Sequence, residues 1–254
     1  MKTEIFERYK LQKMIRVKTC INEEGLGGSE AGLVFLNKLN HIGYESKINI
    51  VRKSGLHEVA FLCILDNRNY LIEFFDRNQE IKVCGHLSLA AGQHLLCQMN
   101  KEITLILKDK QEIKLVFQDR IPAVIFSKPA TGVIYNHVGD DNKFYDSLQE
   151  KEIVLLENTG QLVNLDADKF QRPTLFAAQS GENEYTVRYF RSGKEDPFHV
   201  SGLVPLQSIL ERKGTSTNKT TFCSFNGGKV NFEENAGKYI MSGDFVDLSK
   251  QRSL

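Results

Sequence analysis

Two stretches, Tyr70-Leu-Ile-Glu-Phe-Phe-Asp76 and Tyr185-Thr-Val-Arg-Tyr-Phe-Arg191, decide how this chain is read. Each alternates in the manner of a half-buried strand and is rich in aromatic and β-branched residues. Tyr185 lies 115 residues after Tyr70, and the interval holds without a gap: Phe75 falls on Phe190, Glu80 on Glu195 and Leu95 on Leu210. Both strands lead through a short acidic loop into an apolar segment, Gly85-His-Leu-Ser-Leu-Ala-Ala-Gly-Gln-His-Leu-Leu-Cys97 and Ser201-Gly-Leu-Val-Pro-Leu-Gln-Ser-Ile-Leu210. As helices, these segments would be apolar around most of their circumference, which requires burial rather than a surface position. Pro205 sits in or near the first turn, where its missing N–H is tolerated. Similarity at one fixed interval points to duplication. Helices are therefore expected over 86–97 and 202–212.

Working outward, short strands are expected near 14–20, 58–65, 102–108, 112–118, 122–126, 173–179, 218–226, 228–233 and 237–242. Turn material such as Lys108-Asp-Lys-Gln111 and Asn226-Gly-Gly228 separates them. The predicted fold class is α+β, with two pseudo-symmetric lobes, 1–128 and 129–254. Each is a β-barrel-like sheet wrapped around one buried central helix. The charged stretch 130–170, with Gly139-Asp-Asp-Asn142, is the expected connection between them.

Composition narrows the function. The 254 residues carry 33 Lys+Arg against 32 Asp+Glu, and a net charge of +1 disfavours a dedicated nucleic-acid binder. No apolar run approaches the ~20 residues that span a bilayer. The opening MKTEIFERYK lacks the apolar core of a signal peptide. Five cysteines (20, 63, 84, 97 and 223) contain no C-x-x-C pair, so neither a disulfide framework nor a cysteine zinc site is suggested. The histidines show no metal spacing; His86 and His94 have no carboxylate set between them. A cytoplasmic enzyme or small-ligand binder is expected, with no membrane partner.

Three segments carry candidate chemistry. In Ser54-Gly-Leu-His57-Glu58-Val-Ala-Phe-Leu-Cys63 a carboxylate opens a strongly apolar strand, the desolvated setting that suits a general acid/base. His57 falls on the opposite face and is not paired with it. In Glu80-Ile-Lys-Val-Cys84-Gly85-His86, a helix start offers N–H groups to an anion, Gly85 permits close approach, and His86 can donate or relay a proton. In Glu195-Asp196-Pro197-Phe198-His199-Val200-Ser201, Asp196 is held extended by the following proline, and Ser201 suits an N-cap. Taken singly, these residues read as caps or solvated groups. The duplication would bring both junctions to one interlobe cleft. The run Gly25-Leu-Gly-Gly-Ser-Glu30 lacks the last glycine of a dinucleotide loop and the Gly-Lys-Ser/Thr of a P-loop, and reads as a tight turn lining that cleft.

These motifs together resemble the phenazine-biosynthesis PhzF-like family, within the diaminopimelate-epimerase-like fold. The family's F-G-G-N-P-A-A-V is similar to Leu26-Gly-Gly-Ser-Glu-Ala-Gly-Leu33, and its N-L-S-E-T-A-F to Ser54-Gly-Leu-His-Glu-Val-Ala-Phe61. Its E-x-x-x-C-G-H-A-T-L-A-A-A resembles Glu80–Ala91. Its second-lobe motif resembles Arg188-Tyr-Phe-Arg191 with Glu195-Asp-Pro-Phe-His-Val-Ser-Gly202. Gly227–Gly243 is similar to the closing hairpin. Order and spacing hold over most of the chain. The resemblance implies catalytic Glu58, His86 and Asp196. It also implies substrate contacts at Gly85, Ser201, Gly28, Ser29, Cys84 and His199. The implied activity is that of a cofactor-free, metal-free isomerase that shifts a proton on a small unsaturated or amino carboxylic acid, and the assembly the resemblance implies is a homodimer.

Two departures stand out. Val200 replaces the family glycine before the serine, and Ser29-Glu30 replaces Asn-Pro; both point to a changed substrate or a weakened enzyme. Two alternatives accompany the reading. One is a racemase or epimerase of the same fold using Cys84 and His199, the residue 115 positions on. The other is a non-catalytic small-acid binding protein.

Overall fold

In the computed structural model, which describes residues 14–118, 120–127, 135–137, 142–146, 150–196, 198 and 200–248, the chain divides into two compact units. The first gathers residues 14–19, 29–126 and 242–248, and the second 20–28 and 127–241.

The first unit opens with β1 (Ile15–Ile21) and β2 (Ser29–Leu36), antiparallel, with Val17 opposite Ala31. Helix α1 (Tyr44–Ser54) follows. It stops at Gly55, whose φ of +79° is the left-handed turn that ends helices and disfavours L side chains. Next come β3 (Glu58–Ile64), β4 (Asn69–Asp76), β5 (Glu80–Ile81), α2 (Gly85–Met99), β6 (Ile103–Ile106), β7 (Glu112–Gln118) and β8 (Ile121–Ser127). Strand β3 runs parallel to β2 and antiparallel to β4; β4 pairs antiparallel with β5 and parallel with β6, and β6–β7–β8 continue antiparallel.

The second unit contains β9 (Tyr135–His137), β10 (Lys143–Asp146), β11 (Lys151–Leu156), α3 (Thr159–Val163), β12 (Thr174–Gly181), β13 (Glu184–Arg191) and β14 (Lys194–Asp196). A 3-10 turn, Val200–Gly202, then leads into α4 (Leu203–Arg212), followed by β15 (Lys219–Ser224), β16 (Lys229–Asn235) and β17 (Lys238–Ser242). Its pairings repeat those of the first unit: β11–β12 parallel, β12–β13 and β13–β14 antiparallel, β13–β15 parallel and β15–β16 antiparallel. The register repeats as well. Val59 faces Phe75 and Phe75 faces Glu80, while Thr174 faces Phe190 and Phe190 faces Glu195. Beyond the helices the match shifts by two residues, with Tyr70 opposite Leu105 and Tyr185 opposite Phe222.

Both apolar segments are buried helices. Along α2, Gly85 through Gln93 and Leu95–Leu96 are all buried, so no polar face is needed. A Cβ on Gly92 would come within 3.3 Å of Leu115, so the missing side chain lets α2 lie close on β7. In α4, Pro205 is the third residue, and Leu203, Leu206, Ile209 and Leu210 are buried.

Three expectations change. The final strand β18 (Asp244–Asp247) belongs to the first unit, where Leu248 N–H donates to Arg16 O at 3.0 Å and Gln93 donates to Gly243 O at 2.9 Å. The tail is therefore not grouped with 129–241. The described part of 130–170 is not a mere connection, because β11 is the parallel partner of β12. Its inward residues Val154 and Leu162 pack with Phe176 and Phe190. Helix α1 and strand β2 were not expected; Ile48, Ile50 and Val51 of α1 join Val34, Leu56, Phe61 and Phe75 in one core cluster.

Candidate active site

The site is built where β3 begins and where α2 begins. Alternation turns His57 to solvent and Glu58 inward, and every residue from Glu58 to Cys63 is buried. Cys84 is extended (φ −133°, ψ 111°) and its side chain does not cap α2; instead it points to Glu58. Ser88 Oγ donates to Cys84 O at 2.8 Å and ties down the first turn.

Three side chains meet. Cys84 Sγ donates to Glu58 Oε2 at 2.9 Å and lies 3.3 Å from His86 Nδ1, while His86 Nε2 lies 3.5 Å from Glu58 Oε2. Glu58, Cys84 and His86 are only 5%, 4% and 8% exposed. A carboxyl, a thiol and an imidazole can each hold or release one proton, and here protons can pass among them without bulk water. Gly85 separates Cys84 from His86 and opens the helix, whose first N–H groups favour an anion nearby.

The other expected residues are placed as follows. Ser29 opens β2 opposite Thr19 and is half-buried. Gly28 is buried, at φ +72°, in the Gly25–Gly28 turn of the second unit. That turn is pressed on another: a Cβ on Gly27 would stand 2.1 Å from Gly228 N. Asp196 ends β14 opposite Tyr189 and is half-buried. Ser201 lies in the 3-10 turn before α4, preceded by a fully buried Val200. His199 lies outside the described residues. Among the described residues of the first unit, Glu58, Cys84, Gly85 and His86 come together.

The acidic residues that mark the repeat are structural. Glu80 accepts from Lys108 at 3.1 Å, and that hydrogen bond holds the ammonium above its usual range. Its equivalent, Glu195, takes Arg188 as a fork, at 3.0 and 2.7 Å. What sequence reasoning missed is Cys84 as the direct partner of Glu58; the available signal was a thiol in Cys-Gly-His at the helix start.

No family profile and no curated protein matches the chain in sequence. Solved structures do match it. The architecture is a mixed α/β fold with extensive sheet and few helices, as in proline racemase-like and epimerase structures. A hydroxyproline epimerase from Agrobacterium vitis with bound trans-4-hydroxy-L-proline superposes with TM-score 0.55 at 10% identity, over 93% of this chain and 91% of that one. More particularly, the fold is that of PhzF proteins. A protein ascribed to phenazine biosynthesis PhzC/PhzF from Clostridium difficile strain 630 gives TM-score 0.70 at 20% identity, over 92% and 96% of the two chains. A phenazine biosynthesis protein of the PhzF family from Enterococcus faecalis gives 0.70 at 14%, over 93% and 97%. No helix among the described residues is long and apolar enough to cross a membrane.

Proposed function

We propose that the chain is a cofactor-independent isomerase that moves a proton on a small unsaturated or amino carboxylic acid, with Glu58 as proton carrier. The observation that carries this reading is the buried contact of Glu58 Oε2 with the Cys84 thiol at 2.9 Å and the His86 imidazole at 3.5 Å. The carboxylate takes a proton from a substrate carbon, the electron pair delocalises toward the substrate's unsaturation or carboxyl, and the carboxylic acid returns the proton to another carbon. Cys84 and His86 hold Glu58 in place and exchange protons with it. The start of α2 receives the substrate carboxylate. Asp196 and Ser201, at the corresponding junction of the second unit, are proposed as substrate-holding groups. Burial excludes the water that would quench the intermediate. The fold shared with PhzF and epimerase structures supports the same class of chemistry.

A second reading has its own observation. Cys84 is the thiol in contact with Glu58, so once its proton has passed to the carboxylate it can serve as one base of a racemase or epimerase, with His199, 115 residues on, proposed as the opposed group. Incubation of an unsaturated-acid and amino-acid panel in heavy water, followed by NMR and chiral analysis, separates the possibilities. Deuterium at a new carbon with a shifted double bond supports the isomerase. Deuterium at the α-carbon with inversion supports the epimerase. Binding without deuterium uptake supports a non-catalytic binder.

A further inference from the structure

We infer that Glu58, Cys84 and His86 also form a site for one thiophilic divalent cation, with Zn2+ as the best chemical fit, and that the ion shuts off proton transfer at Glu58. A carboxylate oxygen, a thiolate and an imidazole nitrogen are the donor types zinc selects, and the three candidate atoms lie within 4.8 Å of one another. Around a tetrahedral ion with zinc–ligand bonds of about 2.0–2.3 Å, ligand atoms stand roughly 3.3–3.6 Å apart. Here the separations are 2.9 Å for Sγ to Oε2, 3.3 Å for Sγ to Nδ1 and 3.5 Å for Nε2 to Oε2. One ring nitrogen lies beside Sγ and the other beside Oε2, so binding opens the thiol–carboxylate contact by about half an ångström and turns one imidazole nitrogen toward the ion, within a triad whose ligand atoms already lie no more than 4.8 Å apart. That contact is now bridged by the thiol proton. Binding replaces this proton with the ion, giving Cys84–S–Zn and one H+ released to solvent.

The backbone supports the arrangement. Cys84 and His86 are fixed by the start of α2, with Ser88 bonded to the Cys84 carbonyl, and Glu58 is fixed by β3. Three protein ligands leave a fourth position open. A bound ion occupies the oxygen that would accept the substrate proton, so it inhibits rather than assists. The site shares residues with the proposed reaction, but its existence does not depend on turnover.

The test uses the full chain and cobalt(II) as a spectroscopic substitute for zinc. Expected is saturation at one Co2+ per chain, with a near-ultraviolet thiolate-to-cobalt charge-transfer band that Zn2+ displaces. Cys84→Ser abolishes the band, and the exposed-cysteine variant Cys97→Ser keeps it. Glu58→Gln and His86→Ala, checked for folding by circular dichroism, weaken binding by at least the ~10–100-fold typical of losing an outer-sphere partner. X-ray absorption of the zinc-loaded wild type supplies a reading without mutation: one sulfur with nitrogen and oxygen neighbours. The absence of a saturable band, a band that survives Cys84→Ser, or a shell with no sulfur or several would overturn the inference. Failure of the deuterium assay with the cobalt band intact would instead count against the proposed reaction alone.

Discussion

The thiol of Cys84 donates a 2.9 Å hydrogen bond to Oε2 of Glu58, and both groups are buried. A hydrogen bond to an ionisable buried group contributes about 1.5–3 kcal/mol, and an orphaned partner adds its desolvation cost. Cys84→Ala should therefore lower stability by about 1–3 kcal/mol, whereas Cys84→Ser, which keeps a donor, should lose less. Denaturant midpoints check this order. Equal midpoints for the two variants would mean that the thiol acts only by filling space.

Lys47 and Glu73 form an ion pair of low exposure, with the Lys47 ammonium 5.7 Å and 5.5 Å from the ring centres of Phe61 and Phe75. Removing one partner leaves the other charge buried alone, a loss of about 3–5 kcal/mol. Lys47→Ala should reach that range, and Lys47→Met combined with Glu73→Leu should recover much of it. A double variant no more stable than the single one would show that the charges contribute specifically.

Gly27 and Gly237 separate strain from collision. Both have positive φ, +67° and +74°, but a Cβ at Gly27 meets Gly228 N at 2.1 Å, and one at Gly237 meets open space. Gly237→Ala should cost only the left-handed backbone penalty of about 1–2 kcal/mol. Gly27→Ala should cost clearly more or prevent folding. Similar thermal midpoints would contradict the close packing of the two turns.

Burial, with a smaller push from the Asp66 charge, raises the Tyr70 phenol above its ordinary value. The phenol then ionises more readily in the unfolded chain. Its contribution is complete below about pH 10 and is lost as pH climbs toward the raised folded value. Melting temperatures should fall between about pH 9 and about pH 11, and fall less in Tyr70→Phe. Identical slopes for wild type and variant would assign the alkaline loss elsewhere.

The repeat was readable because two strands kept their aromatic residues and their acidic partners at one interval, and the register of β4–β5 and β13–β14 preserves it. Helix α1 escaped because the buried Lys47 sits inside its apolar stripe; the stop signal at Gly55 was visible but unsupported. The stretch around β10 and β11 read as a connection because it is rich in charge, Asp146 and Lys151 included. They are register partners across the two strands and are both 2% exposed, so charge in the sequence here did not mean a solvent-facing position. At the site, Glu58 was legible from the apolar run that follows it. Its contact with Cys84, 26 residues on, was not, because the turn from β5 into α2 sets that distance rather than any local pattern.

The central claim is that Glu58 carries the substrate proton, and Glu58→Gln tests it most directly. Glutamine keeps the shape and a hydrogen-bonding side chain but cannot shuttle a proton at neutral pH. The measurement is deuterium incorporation from heavy water into a turned-over unsaturated or amino acid, by wild type and variant at equal ligand occupancy. The account predicts incorporation by wild type and a loss of at least ~10²–10⁴-fold in the variant, with ligand binding retained. Equal incorporation by both proteins would contradict it and transfer the role to Cys84.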